Sequence, residues 1–121
     1  MAPLDRELAH RPQASRALER RYREWEERLQ EARRYAERVR GVLGEARVFL
    51  FGSVARGSFN LESDIDLLVV SSRLPKDPLE RLALLQGLGE GRVEARGLTP
   101  EEFARLEARG ALAWLEGAWE L

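Results

Sequence analysis

The sequence predicts an α+β fold in which a small mixed β-sheet of about three strands is flanked by helices and preceded by one long N-terminal helix. Three observations predict it. Apolar residues recur at spacings of three and four between residues 18 and 43, which is a helical period. Two short apolar runs, residues 48–51 and 65–70, have the length and composition of buried strands, and residues 92–96 alternate like a third. Helical patterns surround these strands, which favours a mixed architecture.

The apolar seam in the first third of the chain predicts a helix over about residues 14–42. Its members are Leu18, Tyr22, Trp25, Leu29, Ala32, Ala36, Val39 and Leu43. Such a helix is roughly 40–45 Å long, whereas a compact chain of this size is roughly 35 Å across. Either the whole stripe packs on its own sheet, or its first half, with Tyr22 and Trp25, overhangs as a surface for a second copy or a partner protein. Residues 1–13 are predicted to be a partly ordered lead-in, and we assign no role to His10 within it.

A glycine-serine turn follows the first predicted strand. Residues 48–51 end at Gly52, and residues 53–56 are long enough for one or two helical turns before Gly57. Glycine lets the backbone approach a ligand closely. The free amides of a helix start, together with the Ser53 hydroxyl, would face the end of the strand and bind an anion. Gly52 and Ser53 are therefore candidate phosphate-binding residues.

A pair of aspartates opens the second predicted strand. Asp64 and Asp66 are two residues apart, so in a strand they project from the same face. Adjacent carboxylates repel unless a cation lies between them, and Mg²⁺ binds through one or two carboxylates plus substrate phosphate. The alternative is a turn residue and a chance strand carboxylate, although an acid in an apolar strand is costly without a cation. Ser63 would steady the turn or hydrogen-bond to these acids.

These residues resemble the GSxxRG…SDxDL signature of the DNA polymerase β-like nucleotidyltransferase superfamily. The closest resemblance is to its minimal nucleotidyltransferases, antitoxin-type proteins that pair with HEPN partners. The segments that carry it are Gly52-Ser53, Ala55-Arg56-Gly57 and Ser63-Asp64-Ile65-Asp66-Leu67.

The resemblance implies a palm-like nucleotidyltransferase fold and the transfer of AMP from ATP, or of another nucleotide from its triphosphate, to a hydroxyl. A tyrosine on a HEPN-type toxin is the acceptor that it suggests. It implies two Mg²⁺ ions held by Asp64 and Asp66, and a triphosphate bound by a set of four residues. That set is Gly52, Ser53, Arg56 and Ser63. For Arg56, a surface ion pair is an equal alternative.

In this family the third strand carries a third carboxylate, usually aspartate, and Glu94 occupies the matching position here. Glutamate is one methylene longer, so the site would be either adapted to the longer side chain or weakened. If it is active, Glu94 joins Asp64 and Asp66 as a catalytic residue and metal ligand. The alternative is a solvent-facing residue that forms ion pairs with Arg92 and Arg96.

Two shorter helices complete the predicted elements. Residues 79–86 form an amphipathic helix, followed by a glycine-rich end at residues 87–91. We expect its buried side to consist of Leu79, Leu82, Ala83 and either Leu85 or Gln86. The second helix starts with Thr99 as N-cap, Pro100 at the first position and Glu102 completing a capping box. Its core-facing residues are predicted to be Phe103 and Leu106.

The C-terminal segment, residues 111–121, is unusually apolar. We expect it to fold back on the sheet or to meet a partner. Trp114 and Trp119 are predicted to pack in the core or in an interface, and the alternative is that they stack on a nucleobase.

Composition limits the possible functions. The chain has 121 residues and is predicted to be one domain, with a helical extension of residues 1–40 and a catalytic core of residues 41–121. The net charge is −1, divided into +3 for the extension and −4 for the core, so nucleic-acid binding is not expected and cations must bridge a bound triphosphate. The absence of cysteine excludes disulfides and thiolate metal sites. With no signal peptide or membrane span in the sequence, we expect a cytoplasmic protein.

Three functions are compatible with these patterns. The first is an active metal-dependent nucleotidyltransferase that modifies a partner protein. The second is a catalytically weak or inactive module that neutralises a toxin by forming a complex, which the glutamate at position 94 favours. The third is a coiled-coil oligomeriser in which the motif is incidental.

Overall fold

The computed structural model describes residues 12–60 and 62–121, with side chains described from Ser15 onward. The prediction for residues 1–11, including His10, lies outside the described residues. In chain order the elements are α1 (Pro12–Leu43), β1 (Arg47–Phe51), α2 (Gly52–Arg56), β2 (Ile65–Val70), α3 (Pro78–Leu88), β3 (Val93–Leu98), α4 (Pro100–Ala108), a 3-10 turn (Ala113–Leu115) and β4 (Trp119–Glu120). Within the described ranges, none of the helices combines the length and the apolar composition needed to cross a membrane.

The sheet is mixed and has four strands in the order β3-β2-β1-β4. β2 runs parallel to β3, while β1 is antiparallel to both β2 and β4. The predicted α+β class and mixed sheet are confirmed. The third strand extends to Leu98, two residues beyond the predicted end. The fourth strand was not predicted as a strand, because Trp119–Glu120 is too short to show any alternation.

The two faces of the sheet pack against different elements. Because successive strand residues point to opposite faces, Leu50, Ile65 and Leu67 belong to one face and Phe51 and Leu68 to the other. The first face forms the main core with α1 and α3. The second face packs against the partly buried residues Leu98, Phe103, Trp114, Leu115 and Ala118.

The long N-terminal helix covers the first face with its C-terminal half only. The buried positions on α1 are Leu29, Ala32, Tyr35, Ala36, Val39 and Leu43. Leu18 and Tyr22, the first two members of the predicted seam, are 52% and 58% exposed. The helix therefore extends past the core, as its predicted length required, and Tyr35 joins the core because its hydroxyl donates a 2.7 Å hydrogen bond to the Leu85 carbonyl.

The predicted buried face of α3 was wrong in part. Leu79 and Leu82 are 76% and 45% exposed, and Ala83 is exposed as well. Leu85, which the prediction offered as an alternative to Gln86, is buried, and Arg81 is buried beside it. The helix turns this side inward because the Arg81 guanidinium donates to the carbonyls of Pro75 and Gly97 and to the Glu102 carboxylate, so the charge is paired and its donors are satisfied.

The start of α4 has the predicted capping box. Thr99 Oγ1 accepts from the Glu102 amide at 3.2 Å, and Glu102 Oε1 accepts from the Thr99 amide at 2.8 Å. Phe103 stacks on Phe49 with ring centroids 5.9 Å apart. This packing holds α4 against the second face of the sheet.

The apolar C-terminal segment folds back on the sheet, which is one of the two predicted outcomes. β4 pairs with β1, and the Leu121 amide donates to the Val48 carbonyl at 2.8 Å. Arg47 forms a two-point ion pair with Glu120 at 2.8 and 3.0 Å. β4 thereby covers the edge of β1.

Candidate active site

The glycine-serine turn lies at the end of β1, as predicted. Gly52 follows the last strand residue, has a φ of +75°, and starts α2 directly. That positive φ is readily adopted by glycine alone. In the described part of the chain no side chain caps the start of α2. The first amides of this short helix are therefore not used by a capping side chain.

The Asp66 carboxylate lies against Gly52. A Cβ atom at position 52 would overlap with Oδ2 of Asp66 and would lie 3.2 Å from its Cγ. Phe51 and Asp66 are register partners in the antiparallel pair of β1 and β2, so the turn and the acid are neighbours across the two strands. The absence of a side chain at position 52 is what makes this close approach possible.

Two carboxylates lie side by side at this end of the second sheet face. Asp66 and Glu94 are register partners in the parallel pair of β2 and β3, so their side chains share a face. Asp64 lies two residues before Asp66 and immediately before β2, and its charge contributes to raising the pKa of Asp66. The structure thus places Asp66 next to Glu94, which is 28 residues further along the chain.

Burial and the nearby charges of Glu94 and Asp64 raise the pKa of Asp66, while Arg96 and Arg56 oppose the rise. Asp66 is half-buried, whereas Asp64 and Glu94 are exposed. A half-buried carboxylate with two like charges beside it is electrostatically unfavourable when ionised. A cation at this point would relieve that repulsion.

The donor chemistry fits a hard divalent cation, because all three side chains offer carboxylate oxygens. Nevertheless, no group of three or more His, Cys, Asp and Glu side chains within residues 12–60 and 62–121 is gathered closely enough to hold a metal ion. Like charges separate when no cation binds them, and Mg²⁺ takes several of its ligands from water and substrate phosphate. The metal role of Asp64, Asp66 and Glu94 stays a prediction.

Ser53 and Arg56 lie in α2, next to these acids. Ser53 is partly buried at the start of the helix, and Arg56 is exposed at its end. Arg56 is close enough to lower the pKa of Asp66. Its charge therefore reaches Asp66, while its predicted role at a bound triphosphate stays a prediction.

Ser63 closes the turn that leads into β2. Its Oγ accepts from the Asn60 amide at 2.9 Å and donates to Asn60 Oδ1 at 3.2 Å, and its amide donates to the Asn60 carbonyl at 3.1 Å. The expectation that Ser63 steadies this turn is met. Its predicted contact with a nucleotide stays a prediction.

Arg96 and Trp114 pack together next to Glu94. The sequence analysis did not identify this pair as part of the site. Arg96 shares the sheet face of Glu94, and its guanidinium lies 5.3 Å from the Trp114 ring centroid and 5.9 Å from that of Phe51. Arg96 is thus held over aromatic rings and is not directed at Glu94 alone. Its spacing from Glu94 signalled a shared face, but no local pattern could indicate that Trp114 would pack there.

The three acids do not line the groove at the opposite end of the sheet. A groove of about 350 Å³ lies near the other end of β2 and is lined by Glu45, Arg47, Val70, Ser71 and other residues. Glu45 is the one carboxylate in its lining. We place the candidate site at the cluster of Asp64, Asp66 and Glu94, because that is where like charges and a close backbone approach coincide.

Comparison with known proteins supports the predicted fold. Residues 29–108 match the family described as "Nucleotidyltransferase domain". The structure resembles the crystal structure of "a putative nucleotidyltransferase from Sulfolobus solfataricus", with a TM-score of 0.61 and 26% sequence identity, over 70% of this chain and 78% of that one. No curated protein matches the chain.

Proposed function

Because this chain belongs to the nucleotidyltransferase domain family, we propose that it transfers a nucleoside monophosphate, AMP from ATP, to a hydroxyl group in a metal-dependent reaction. The observation that carries the proposal is the contact between the Asp66 carboxylate and Gly52, with Glu94 in register beside Asp66. This arrangement sets a cluster of oxygen ligands beside free backbone amides, and a metal-bound triphosphate needs both.

In the proposed reaction, the acceptor oxygen forms a bond to the α-phosphorus and the bond from that phosphorus to the β-bridging oxygen breaks. Pyrophosphate leaves, and Glu94 accepts the proton of the hydroxyl. Two bound Mg²⁺ ions would supply charge neutralisation on the phosphates and a lower hydroxyl pKa. Asp64 and Asp66 are the residues that would hold them.

The triphosphate would be held mainly by the backbone. The amides at the start of α2 and the Ser53 hydroxyl face the β- and γ-phosphates, and Arg56 adds a positive charge at the other end of this helix. Ser63 supports this arrangement by fixing the turn before Asp64. Because the core segment carries a charge of −4, a triphosphate binds only together with its cations.

The proposed acceptor is a tyrosine hydroxyl on a HEPN-type toxin partner, as the resemblance suggests. The exposed N-terminal half of α1 is the surface through which this partner, or a second copy of the chain, would be recruited. Leu18 and Tyr22 support this assignment, because both are large, more than half exposed and one helical turn apart.

Calorimetry with ATP and Mg²⁺ tests the proposal directly. We expect the parent protein to bind ATP only when Mg²⁺ is present, and the Asp64→Asn/Asp66→Asn variant to lose this binding. A parent protein that binds no nucleotide with any divalent metal ion would exclude the enzymatic function. Incubation of labelled ATP with the purified protein and a lysate would then identify the labelled acceptor.

A second candidate is a module of the same fold that binds a partner and transfers nothing. The glutamate at position 94, where the family usually has aspartate, favours it. The two functions differ in one measurement. For the binding module, Asp66→Asn leaves partner binding intact and no labelled product forms with either protein, whereas the enzyme forms a product that the substitution abolishes.

A further inference from the structure

The N-terminal half of α1 contacts the glycine-serine turn directly. The indole Nε1 of Trp25 donates a 3.2 Å hydrogen bond to the Val54 carbonyl in α2. Val54 is fully buried and lies two residues after Gly52. This bond therefore ties α1 to the short helix whose first amides would bind the triphosphate.

Two arginines of α1 hold the segment that follows. Arg21 donates to the Gly57 carbonyl at 3.1 Å, and Arg28 donates to the Asn60 carbonyl at 3.2 Å. Both guanidinium groups also lie over the Phe59 ring, at 4.1 and 4.6 Å from its centroid. Phe59 is 2% exposed, so this loop is fixed to α1 by two polar contacts and one buried ring.

The three carbonyls that accept these hydrogen bonds lie in the segment between the glycine-serine turn and the aspartates. Val54 and Gly57 lie in α2 and at its end, and Asn60 forms the turn that Ser63 closes before Asp64. A five-residue helix has little stability of its own. Its orientation, and hence the direction of its first amides, must come from such tertiary contacts.

We propose that Arg21, Trp25 and Arg28 are positioning residues that orient the phosphate-binding turn and the loop before Asp64. This inference rests on the proposed function, because the orientation of α2 matters for activity only if its amides bind a triphosphate. The three residues precede residue 29, where the family match begins, so the match does not include them. Binding of a triphosphate gains affinity when its amide donors are held in place beforehand.

Single substitutions that remove one donor test the proposal. Trp25→Phe keeps an aromatic ring but loses the N–H, and Arg21→Met keeps the aliphatic stem but loses the guanidinium. Loss of one such bond should weaken Mg²⁺-dependent ATP binding about fivefold in calorimetry. Hydrogen exchange of the amides in residues 52–60 should become faster in both variants.

A matched control separates orientation from the loss of a charge. Arg20→Met removes an exposed charge next to Arg21. It should leave ATP affinity within twofold of the parent and leave exchange in residues 52–60 unchanged. If Trp25→Phe and Arg21→Met lower only the melting temperature and bind ATP like this control, the positioning role is wrong.

Failure of the proposed function would be seen separately. A parent protein that binds no ATP removes that function, and the exchange measurement still decides the structural part of this inference. Faster exchange in residues 52–60 of both test variants would support it, and unchanged exchange would overturn it.

Discussion

Asp66 is a half-buried carboxylate with a raised pKa and other acids beside it. It lies in a strand whose other members are buried and apolar, and its carboxylate contacts the backbone of Gly52 while two further acids lie beside it. Such a position costs free energy in the ionised state unless a cation is bound. Folding alone does not explain a carboxylate here, and the proposed binding of a cation would account for it.

The difference in stability between the parent protein and the Asp66→Asn variant should depend on pH. Burial and the charges of Glu94 and Asp64 raise the pKa of Asp66 above its ordinary value of 3.8, so the folded protein binds this proton more tightly than the unfolded chain. Stability is therefore lost as pH rises from the unfolded pKa through the raised folded pKa. We expect Asp66→Asn to have the higher melting temperature at pH 7 without metal, and the difference to vanish below pH 3.8.

With Mg²⁺ present, the parent protein should have a higher melting temperature than the Asp66→Asn variant. An ion that binds the folded parent stabilises it by mass action, while the asparagine variant lacks one ligand charge. Melting curves at pH 7 with increasing Mg²⁺ would show this change, and a parent with an unchanged melting temperature would contradict the metal role of Asp66.

Gly52 and Gly57 offer a matched pair for testing the close approach. Both have φ near +75°, but a Cβ would meet the Asp66 carboxylate at position 52 and nothing within 4 Å at position 57. Gly57→Ala should cost about 1 kcal/mol for the left-handed backbone. Gly52→Ala should cost about 1–3 kcal/mol more through the overlap and should abolish ATP binding. Denaturant unfolding measures the first effect and calorimetry the second; equal losses at the two positions would show that the contact has no consequence.

The sequence could predict those residues of the site whose patterns are local in the chain, and it could not predict those that tertiary packing brings there. Gly52, Asp64 and Asp66 are recognisable because turn chemistry and period-two spacing are local. Glu94 needed the resemblance as well. Trp114, Arg96 and the α1 donors escaped prediction as contacts of the site, since tertiary packing brings them there from distant parts of the chain and no periodicity encodes it.

At the scale of the element, α3 shows where pattern reasoning fails. Leucines lie all round this helix, so several apolar stripes compete, and the prediction selected the one with Leu79 and Leu82. The structure buries the side that contains Arg81, whose guanidinium satisfies three acceptors between α3, β3 and α4. A polar anchor that the hydrophobic pattern counts as solvent-facing thus decided the orientation of the helix.

Two leucines that the sequence placed on the buried side of α3 differ in the structure. Leu85 is 1% exposed and packs in the main core, whereas Leu82 is 45% exposed. Leu85→Ala should lower the free energy of unfolding by about 2–5 kcal/mol, and Leu82→Ala by about 0.5 kcal/mol or less. Urea denaturation at constant pH measures both. Comparable losses would contradict the difference in burial between the two positions.

At the scale of the whole molecule, α1 serves two purposes with its two halves. Six core residues between Leu29 and Leu43 cover the first sheet face, and the half before them contacts the phosphate-binding turn. The sequence predicted the length of this helix and the α+β class, because a sustained heptad spacing and apolar strands are strong signals. The division into an extension of residues 1–40 and a catalytic core of residues 41–121 stays a proposal about where the chemistry lies.

The predicted catalytic core, residues 41–121, should not fold without the helical extension. A fragment of residues 41–121 would leave the sheet face of Val48, Leu50 and Ile65 without the α1 residues that cover it, and uncovering this much apolar surface exceeds the few kcal/mol by which a small domain is stable. We expect this fragment to lack a cooperative thermal transition in circular dichroism. A fragment of residues 16–121 should melt like the full chain, because residues 16–20 are exposed and the described hydrogen bonds of Arg21, Trp25 and Arg28 to residues 54–60 are retained. A folded 41–121 fragment would show instead that the sheet and its second face form a core on their own, and α1 would then be a separable part of the protein.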